Sequence, residues 1–545
     1  MTTGTISLSS VSGPSSGELQ RSITWKGAFW VAAGVPALVL FSIGGIAATV
    51  GSPSWMVWAI SVIFGFLQAF TYAEIAGMFP SKSGGASVYG AAAWLRYGKI
   101  LAPISVWCNW VAWTPVLAIG TGIGAGYILT ALFPADSIIN TWEITLLNLD
   151  GMKEGLSLRI DATFIVAATI LLAVFAVQHH GISKLAKIQT ILAIATLVPL
   201  MVIGVVPLLT GDVVMANFLP FAPIAYDETG AVILDSSQWQ WNIDGWTLFL
   251  GGMFIAAWST YGFETAICYT SEFKNPATDT FKAIFYAGLL CIAVFTLVPL
   301  SFQGSLGVEG MLDEGIVDGT GVAAAMAHMV GGGAFVGNLL VIMLVFALIL
   351  AVSTSMAGSS RTLYQGSVDG WLPKYLSEVN EHGAPTNAMW TDLSFNLILL
   401  LMSDYLFVLA VSNCCYIVFN FMNLNSGWIH RLDSGHAPRP WRAPTWLLAI
   451  GVVLSFLNLV FLGAGANVWG SGTLITGIIV ITLIIPVFMY RHYVTDRGQY
   501  PRRMLEDLHV DMNDSSSFER KAGIWPYVTV IAGILVVTGS NIYFG

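Results

Sequence analysis

Few side chains in this sequence could do chemistry, and they gather in two short stretches of otherwise apolar chain. The run Trp258-Ser259-Thr260-Tyr261-Gly262-Phe263-Glu264 places a carboxyl group just past small and hydroxylated residues, inside a long hydrophobic segment. An ionisable group at such a depth is costly and faces a cavity or a partner. Glu264 there would relay a proton or hold an amine. Its structural alternative is to bond N–H groups freed by a break in the helix. The second stretch is Gly34-Val35-Pro36, with Gly44-Gly45 further along the first apolar run. Unwinding at such points lets bare N–H and C=O groups hold a ligand in place of water, and half-helix ends add dipole charge. Gly and Pro also serve packing and kinking. The matched positions of the two breaks favour a ligand held between residues 34–38 and 259–262.

Aromatic residues come next. Trp107, Trp110 and Trp113 are spaced three apart and share one broad helical face. With Trp258 and Tyr261 they would form a wall that holds a cation by its π faces, or else simply pack and anchor at the interface. Asn109, Thr114 and Pro115 add polarity and a kink to the same helix, and Ser412 and Asn413 do so further on. His179-His180 adjoin no further ligands at metal spacing. No His-Glu-x-x-His, nucleotide-binding loop or nucleophile turn stands where its mechanism requires, so an enzyme or a nucleotide-driven pump is not expected.

The elements that must position these residues are membrane helices. Of 545 residues, 56% are hydrophobic and only 10% charged, and the mean hydropathy is +0.74. Soluble domains carry about 25% charged residues to meet water. The apolar runs are continuous rather than alternating, so they read as spanning helices that satisfy their own backbones. Twelve spans are predicted at 27–50, 54–79, 101–132, 160–178, 186–210, 246–270, 282–302, 334–360, 387–403, 405–429, 445–464 and 470–490. With the N-terminus inside, 20 of the 22 lysines and arginines fall on the inner side, leaving Lys153 and Arg159 outside. Residues 1–22 read as a disordered cytoplasmic tail rather than a signal peptide, 23–490 as the core, and 491–523 as a polar cytoplasmic tail. The apolar segment 524–545 reads as a thirteenth span or a partner-packed segment. The five cysteines lie in apolar runs and are expected as packed thiols. Breaks in the first and sixth spans start successive groups of five, as in two halves related by an inverted repeat.

Several motifs resemble the amino acid–polyamine–organocation (APC) superfamily permeases. Thr71 to Pro80, running into Ser83-Gly84-Gly85 and Val88-Tyr89-Gly90, is similar to their second helix. Trp258 to Glu264 followed by Glu272-Phe273-Lys274-Asn275-Pro276 resembles their sixth helix and its exit. Arg361 to Tyr364, Asp369-Gly370, Leu372-Pro373-Lys374, Val379-Asn380 and Gly383-Ala384-Pro385 resemble the loop after the eighth. Trp441-Arg442-Ala443-Pro444 resembles the entry to the eleventh.

This resemblance implies an all-α integral membrane protein of the LeuT-like fold, with two inverted five-helix repeats plus two helices. It also implies a multi-pass permease of the cell membrane, moving amino acids or related amines by alternating access with H+ or Na+. A polyamine or organocation carrier, an amino acid exchanger, and a sensor or channel on a permease scaffold are the alternatives. The substrate site it implies takes in Gly34, Val35, Ala37, Leu38, Trp113, Thr114, Trp258, Ser259, Tyr261, Gly262, Ser412 and Asn413, with Trp258 and Glu264 in gating and proton handling. Two departures matter. Pro36 stands where the family offers a bare N–H to a carboxylate, which weakens that clamp. Thr196 occupies the fifth-helix register where many proton-coupled members carry lysine, and Lys184 and Lys187 belong to the inner loop. Ser353, Thr354 and Ser355 of the eighth helix supply hydroxyls for a Na+ site with freed first-helix carbonyls, or bond back to their own helix. No cofactor beyond such an ion, and no nucleic acid, is expected.

Overall fold

A computed structural model describes residues 19, 21–134, 136–180, 182–435, 437–501, 504 and 520–545, without the side chains of 182–189 and 191. Most of the predicted tails 1–22 and 491–523 lies outside the described residues, as do the side chains of Lys184 and Lys187. The described chain is a helical bundle. In order the main helices are α1 (Trp25–Ala32), α2 (Ile43–Val50), α3 (Ser54–Gly77), α4 (Ala86–Leu95), α5 (Leu101–Trp113), α6 (Val116–Leu132), α7 (Ala162–Gln178) and α8 (Ile182–Thr210). Then follow α9 (Ile243–Thr260), α10 (Pro276–Met311), α11 (Gly333–Val368), α12 (Thr386–Leu399), α13 (Tyr405–Asp433), α14 (Thr445–Gly465), α15 (Thr473–Thr482) and α16 (Trp525–Phe544). Two short antiparallel hairpins, Glu143–Asn148 with Ser157–Asp161 and Ala225–Tyr226 with Val232–Ile233, cap one face.

Among the described residues, ten helices are long and apolar enough to cross a membrane. Nine coincide with predicted spans of the core and the tenth is Trp525–Phe544. The predicted spans 160–178, 246–270 and 387–403 correspond to shorter helical pieces: α7, with 17 residues, α9, which gives way to a 3-10 helix, and α12, with 14. Large apolar side chains on the helix flanks, such as Ile194, Ile342, Val453 and Leu535, remain exposed. Water would penalise that surface and hydrocarbon does not.

Both predicted interruptions are present. α1 ends at Ala32, and a 3-10 helix from Val35 to Phe41 connects it to α2. Pro36 enters that turn at its start, where its missing N–H removes no bond. α9 ends at Thr260 and continues as a 3-10 helix over Gly262–Glu272. Packing sets the glycine at the first break: a Cβ on Gly34 would stand 2.6 Å from both the Leu350 carbonyl oxygen and Thr354 Oγ1 of α11. Any larger residue would push the two helices apart.

The face opposite the hairpins is bound by buried ion pairs. Lys82 Nζ meets Asp369 at 2.9 Å, and the Arg361 guanidinium grips both oxygens of Glu272. Glu74 accepts from Arg431 Nε at 2.9 Å and from the Ala443 N–H at 2.8 Å, with Arg439 3.3 Å away. This is the structural duty of a carboxylate closing the loop between α3 and the α13–α14 turn. Lys153 and Arg159 lie on the hairpin face, the first paired with Asp404 and the second with Glu143 and Asp161.

Removing one partner from a buried pair strands the other charge, at a cost of about 3–5 kcal/mol, whereas exposed pairs contribute about 0–1 kcal/mol. Glu272→Gln is therefore expected to lower the thermal midpoint of the detergent-purified protein by many degrees, and Glu143→Gln to leave it nearly unchanged. Differential scanning fluorimetry on both variants checks the contrast.

Candidate functional site

The two breaks face each other. Gly262 sits so close to the first break that a Cβ on it would lie 2.9 Å from Trp113 and 3.0 Å from Val35. Ser259 Oγ donates to the Leu38 carbonyl at 3.3 Å, tying the end of α9 to the 3-10 segment after α1. Between them lies a void of about 10 Å3, lined by Gly34, Val35, Leu38, Trp113, Val116, Thr265, Ala351, Thr354 and Ser355. That volume is at the lower limit for one water molecule. The chamber is closed around nothing larger in this conformation.

A row of tilted aromatic rings runs from this void to a much larger cavity. Phe41 lies 5.8 Å from Trp258, and Trp258 lies 6.0 Å from Trp113. Trp258 is fully buried and its indole N–H donates to the Ala112 carbonyl at 2.9 Å, which fixes the ring in place. Beyond Phe41, toward the hairpins, opens a cavity of about 680 Å3 whose lining includes Glu154, Arg159, Glu314, Asp318 and Asp404. The buried ion pairs of Glu272 with Arg361 and Lys82 with Asp369 lie on the face away from that cavity.

Glu264 is buried in the second break. Its Oε1 accepts from the Trp113 indole N–H at 2.9 Å, while Oε2 has no hydrogen-bond partner among the described residues. A Cβ on Gly85 would come within 3.8 Å of Oε2, so the carboxylate points at the start of α4. There the helix dipole favours negative charge. The carboxyl thus bonds an indole from another helix rather than the freed N–H groups of its own segment. The hydroxyls of Tyr72 and Tyr416 are likewise buried without partners among the described residues.

The remaining sequence-predicted residues divide. Gly34, Val35, Leu38 and Trp113 line the void, with Ala37 buried in the same 3-10 turn. Thr354 and Ser355, singled out for Na+, line it too. Their hydroxyls diverge: Thr354 bonds the Val31 carbonyl, Ser355 the Trp113 carbonyl at 2.7 Å, and Ser353 receives Gln178 from α7. Tyr261 points away, its hydroxyl on Asn458 Oδ1 at 3.0 Å, and Thr114 turns to Asp392 at 2.6 Å. Asn413 donates to the Phe254 carbonyl, and Ser412 borders a separate apolar cavity of about 150 Å3. The aromatic wall is narrower than its spacing suggested, since Trp107 bonds the Val480 carbonyl and Trp110 bonds Asp392.

Val116, Thr265 and Ala351 went unmarked because nothing in their types distinguishes void from core. Asp392 had a signal, a carboxylate within an apolar run. All five cysteines are buried and unpaired.

The ten helices long and apolar enough to cross a membrane among the described residues mark a polytopic membrane protein. The profile of the amino acid permease family matches residues 23–489. The chain belongs to that family, within the APC superfamily. It is 23% identical to the polyamine transporter PUT1 of Oryza sativa subsp. japonica, over 75% of this chain and 69% of the relative. It is 22% identical to the branched-chain amino acid permease BcaP of Lactococcus lactis subsp. cremoris (strain MG1363), over 56% of this chain and 60% of the relative. The arginine/ornithine antiporter ArcD1 of the same organism is 24% identical over 64% of this chain, and 62% of that protein is covered.

The Trp113–Glu264 bond makes a measurable coupling. Trp113→Phe leaves both carboxylate oxygens unpartnered, whereas in a Glu264→Gln background it removes only a bond between neutral groups. The thermal effects of the two substitutions should be non-additive, with an interaction of about 1–3 kcal/mol. Additive melting shifts across the double-mutant cycle would show the contact to be of no consequence.

Proposed function

We propose that this chain is a secondary active transporter of amino acids or related amines that works by alternating access. The observation that carries the reading is the pair of interrupted helices meeting over a closed void, with an aromatic stack on one side and buried ion pairs on the other. Interrupted helices supply peptide groups to a solute that must shed its water. The stack and the ion pairs are the two barriers that must open in turn. The void is too small for an amino acid, so binding has to part the helices. The cavity beyond Phe41 gives the waiting solute a place from which to enter.

In this reading the helices form a LeuT-like arrangement of two inverted five-helix repeats plus two, with α16 as a further crossing. α16 begins where the Ala522 N–H bonds Asp433 on the basic face, and ends where the Phe544 carbonyl receives Thr247 near the hairpins. The N-terminus is cytoplasmic and the membrane is that of the cell. The coupling ion is H+ or Na+. Glu264, a buried carboxyl in no ion pair among the described residues, supports H+ over a Na+ site at the diverging hydroxyls of Ser353, Thr354 and Ser355.

A cationic amine is favoured over a zwitterion on two grounds. Pro36 withholds an N–H from the carboxylate clamp, and the outer cavity carries Glu154, Glu314, Asp318 and Asp404 against Arg159 and the Lys153 that pairs with Asp404. Relatives named for polyamines and for arginine and ornithine agree with that choice, while one named for branched-chain amino acids keeps neutral cargo in view.

Proteoliposomes test the reading. The wild type should accumulate a labelled diamine or basic amino acid against its gradient when a pH gradient is imposed, and a sodium gradient alone should do less. Trp258→Ala and Glu264→Gln should each abolish uptake while expression and membrane insertion stay normal. Full uptake in both variants would remove the site, and binding without accumulation would make the protein a sensor or channel. A melting screen against amines and amino acids, with and without sodium, identifies the cargo class, because a ligand held at 100 times its Kd adds about 2.7 kcal/mol.

A further inference from the structure

Asp392 is a second membrane-embedded carboxylate, and the carrier reading gives it no task. It lies on α12, fully buried between α5 and α11. Its Oδ1 accepts from the Trp110 indole N–H at 2.9 Å and from Thr114 Oγ1 at 2.6 Å, and its Oδ2 meets Ser359 Oγ. We propose that Asp392 is a proton-binding site of the scaffold, taking H+ on Oδ2 against Ser359, and that α5 and α11 pass its charge state to the central void.

The hydrogen-bond directions locate the proton. Asn396 Oδ1 accepts from the Ala118 N–H at 3.1 Å, so its amide nitrogen is the group that donates to Thr114 Oγ1 at 2.7 Å. Thr114 must then give its own hydrogen to Asp392. The indole of Trp110 can only donate. Both bonds at Oδ1 therefore have one polarity, and an added proton has only Oδ2. Ser359 can serve either state. It donates to the anion, or it accepts from Oδ2–H and turns its own hydrogen to the Met356 carbonyl, 3.4 Å away. Protonation takes one H+ from solvent, neutralises the carboxylate and breaks no covalent bond.

No basic side chain neutralises Asp392. Among the described residues no ion pair reaches it, and Arg361, the basic residue half a turn beyond Ser359, is held by Glu272. The other titratable side chains on the elements packed around it are Cys108 on α5, Tyr127 on α6, His179 just past α7, Tyr364 on α11, and Lys374, Tyr375, Glu378, Glu381 and His382 on the segment before α12; His179 bonds Thr386 and Glu378 receives Asn387, both nearer the start of α12. None is a hydrogen-bond partner of its oxygens, and Tyr375 bonds Thr391. Three neutral donors offset part of the desolvation of the anion, while the acid needs only the flip of one hydroxyl. A hard metal cation fits less well. Oxygen cages hold such ions at about 2.3–2.6 Å, which sets their ligand oxygens more than about 3 Å apart, whereas the Asp392 and Thr114 oxygens already touch at 2.6 Å.

Two rigid arms lead to the void. Trp110 and Trp113 are one turn apart on α5, and Trp113 both lines the void and holds Glu264. Ser359 and Ser355 are one turn apart on α11, and Ser355 lines the void and bonds the Trp113 carbonyl. A change at Oδ2 is thus felt by both walls. This second half of the proposal rests on the carrier reading; proton binding itself does not.

Difference infrared spectroscopy on the full-length protein in liposomes, titrated with pH and without substrate, tests the first half. In Glu264→Gln a carbonyl-stretch band of a buried protonated carboxyl should still titrate, and it should vanish when Asp392→Asn is added. A silent Glu264→Gln protein, or a band indifferent to Asp392→Asn, overturns the assignment. Ser359→Ala removes the donor to the anion and should move the midpoint upward by about one pH unit; this keeps the test open should Asp392→Asn fold poorly, and an unmoved midpoint places the proton elsewhere. For the second half, Asp392→Asn should flatten the pH profile of uptake while ligand-induced thermal stabilisation survives. An unchanged profile would refute the coupling to the void.

Discussion

A helix inside a bilayer has no solvent to fall back on, so every peptide group it fails to pair must be paired by the protein or by cargo. The rest of this structure follows from meeting that requirement at two places. After Ala32 and after Thr260 the α-helical ladder gives way to 3-10 geometry, which is poorer in hydrogen-bond alignment and uncommon over long stretches. Such segments survive because other helices surround them: α11 presses on Gly34, Trp113 on Gly262, and Ser259 reaches across to Leu38. The void is what remains between two segments that pack on each other but do not interlock.

Around this centre the two faces of the molecule use different physics. One is closed by charge: Lys82 with Asp369, Arg361 with Glu272 and Glu74 with two arginines, all in places where water is scarce and the loss of a partner is expensive. The other is closed by three rings, Phe41, Trp258 and Trp113, beneath a cavity lined by both acidic and basic side chains. The rings meet at 5.8 and 6.0 Å, with Trp258 pinned by its bond to the Ala112 carbonyl, whereas a buried ion pair that parts leaves two charges to be solvated.

Helix α5 links the broken helices to the surrounding scaffold. Two of its three indole N–H groups each hold a carboxylate, Trp113 on Glu264 toward the breaks and Trp110 on Asp392 toward α12. Indole nitrogen cannot accept, so both contacts favour the charged form of the acid without cancelling the charge. An ion pair, by contrast, would neutralise the carboxylate.

Composition and the length of the apolar runs were enough to determine a multi-helix membrane protein, because a chain with so few charges cannot be solvated otherwise. The two breaks were equally legible: Gly34-Val35-Pro36 and Tyr261-Gly262 cannot sustain a regular helix without help, and that is a property of local backbone chemistry. The motifs that marked the permease family were also readable in order along the chain. What the linear text could not decide was direction. Thr114, Tyr261, Ser412 and Asn413 carry the same polar groups whether they face the void or another helix, and only the rotation of each helix against its neighbours turns them to Asp392, Asn458, their own helix or the Phe254 carbonyl. The tight closure of the chamber and the pairing of Asp392 with residues 282 and 33 positions away in the chain are tertiary outcomes for the same reason. Spacing fixes which residues share a face of one helix, and packing alone fixes what that face meets.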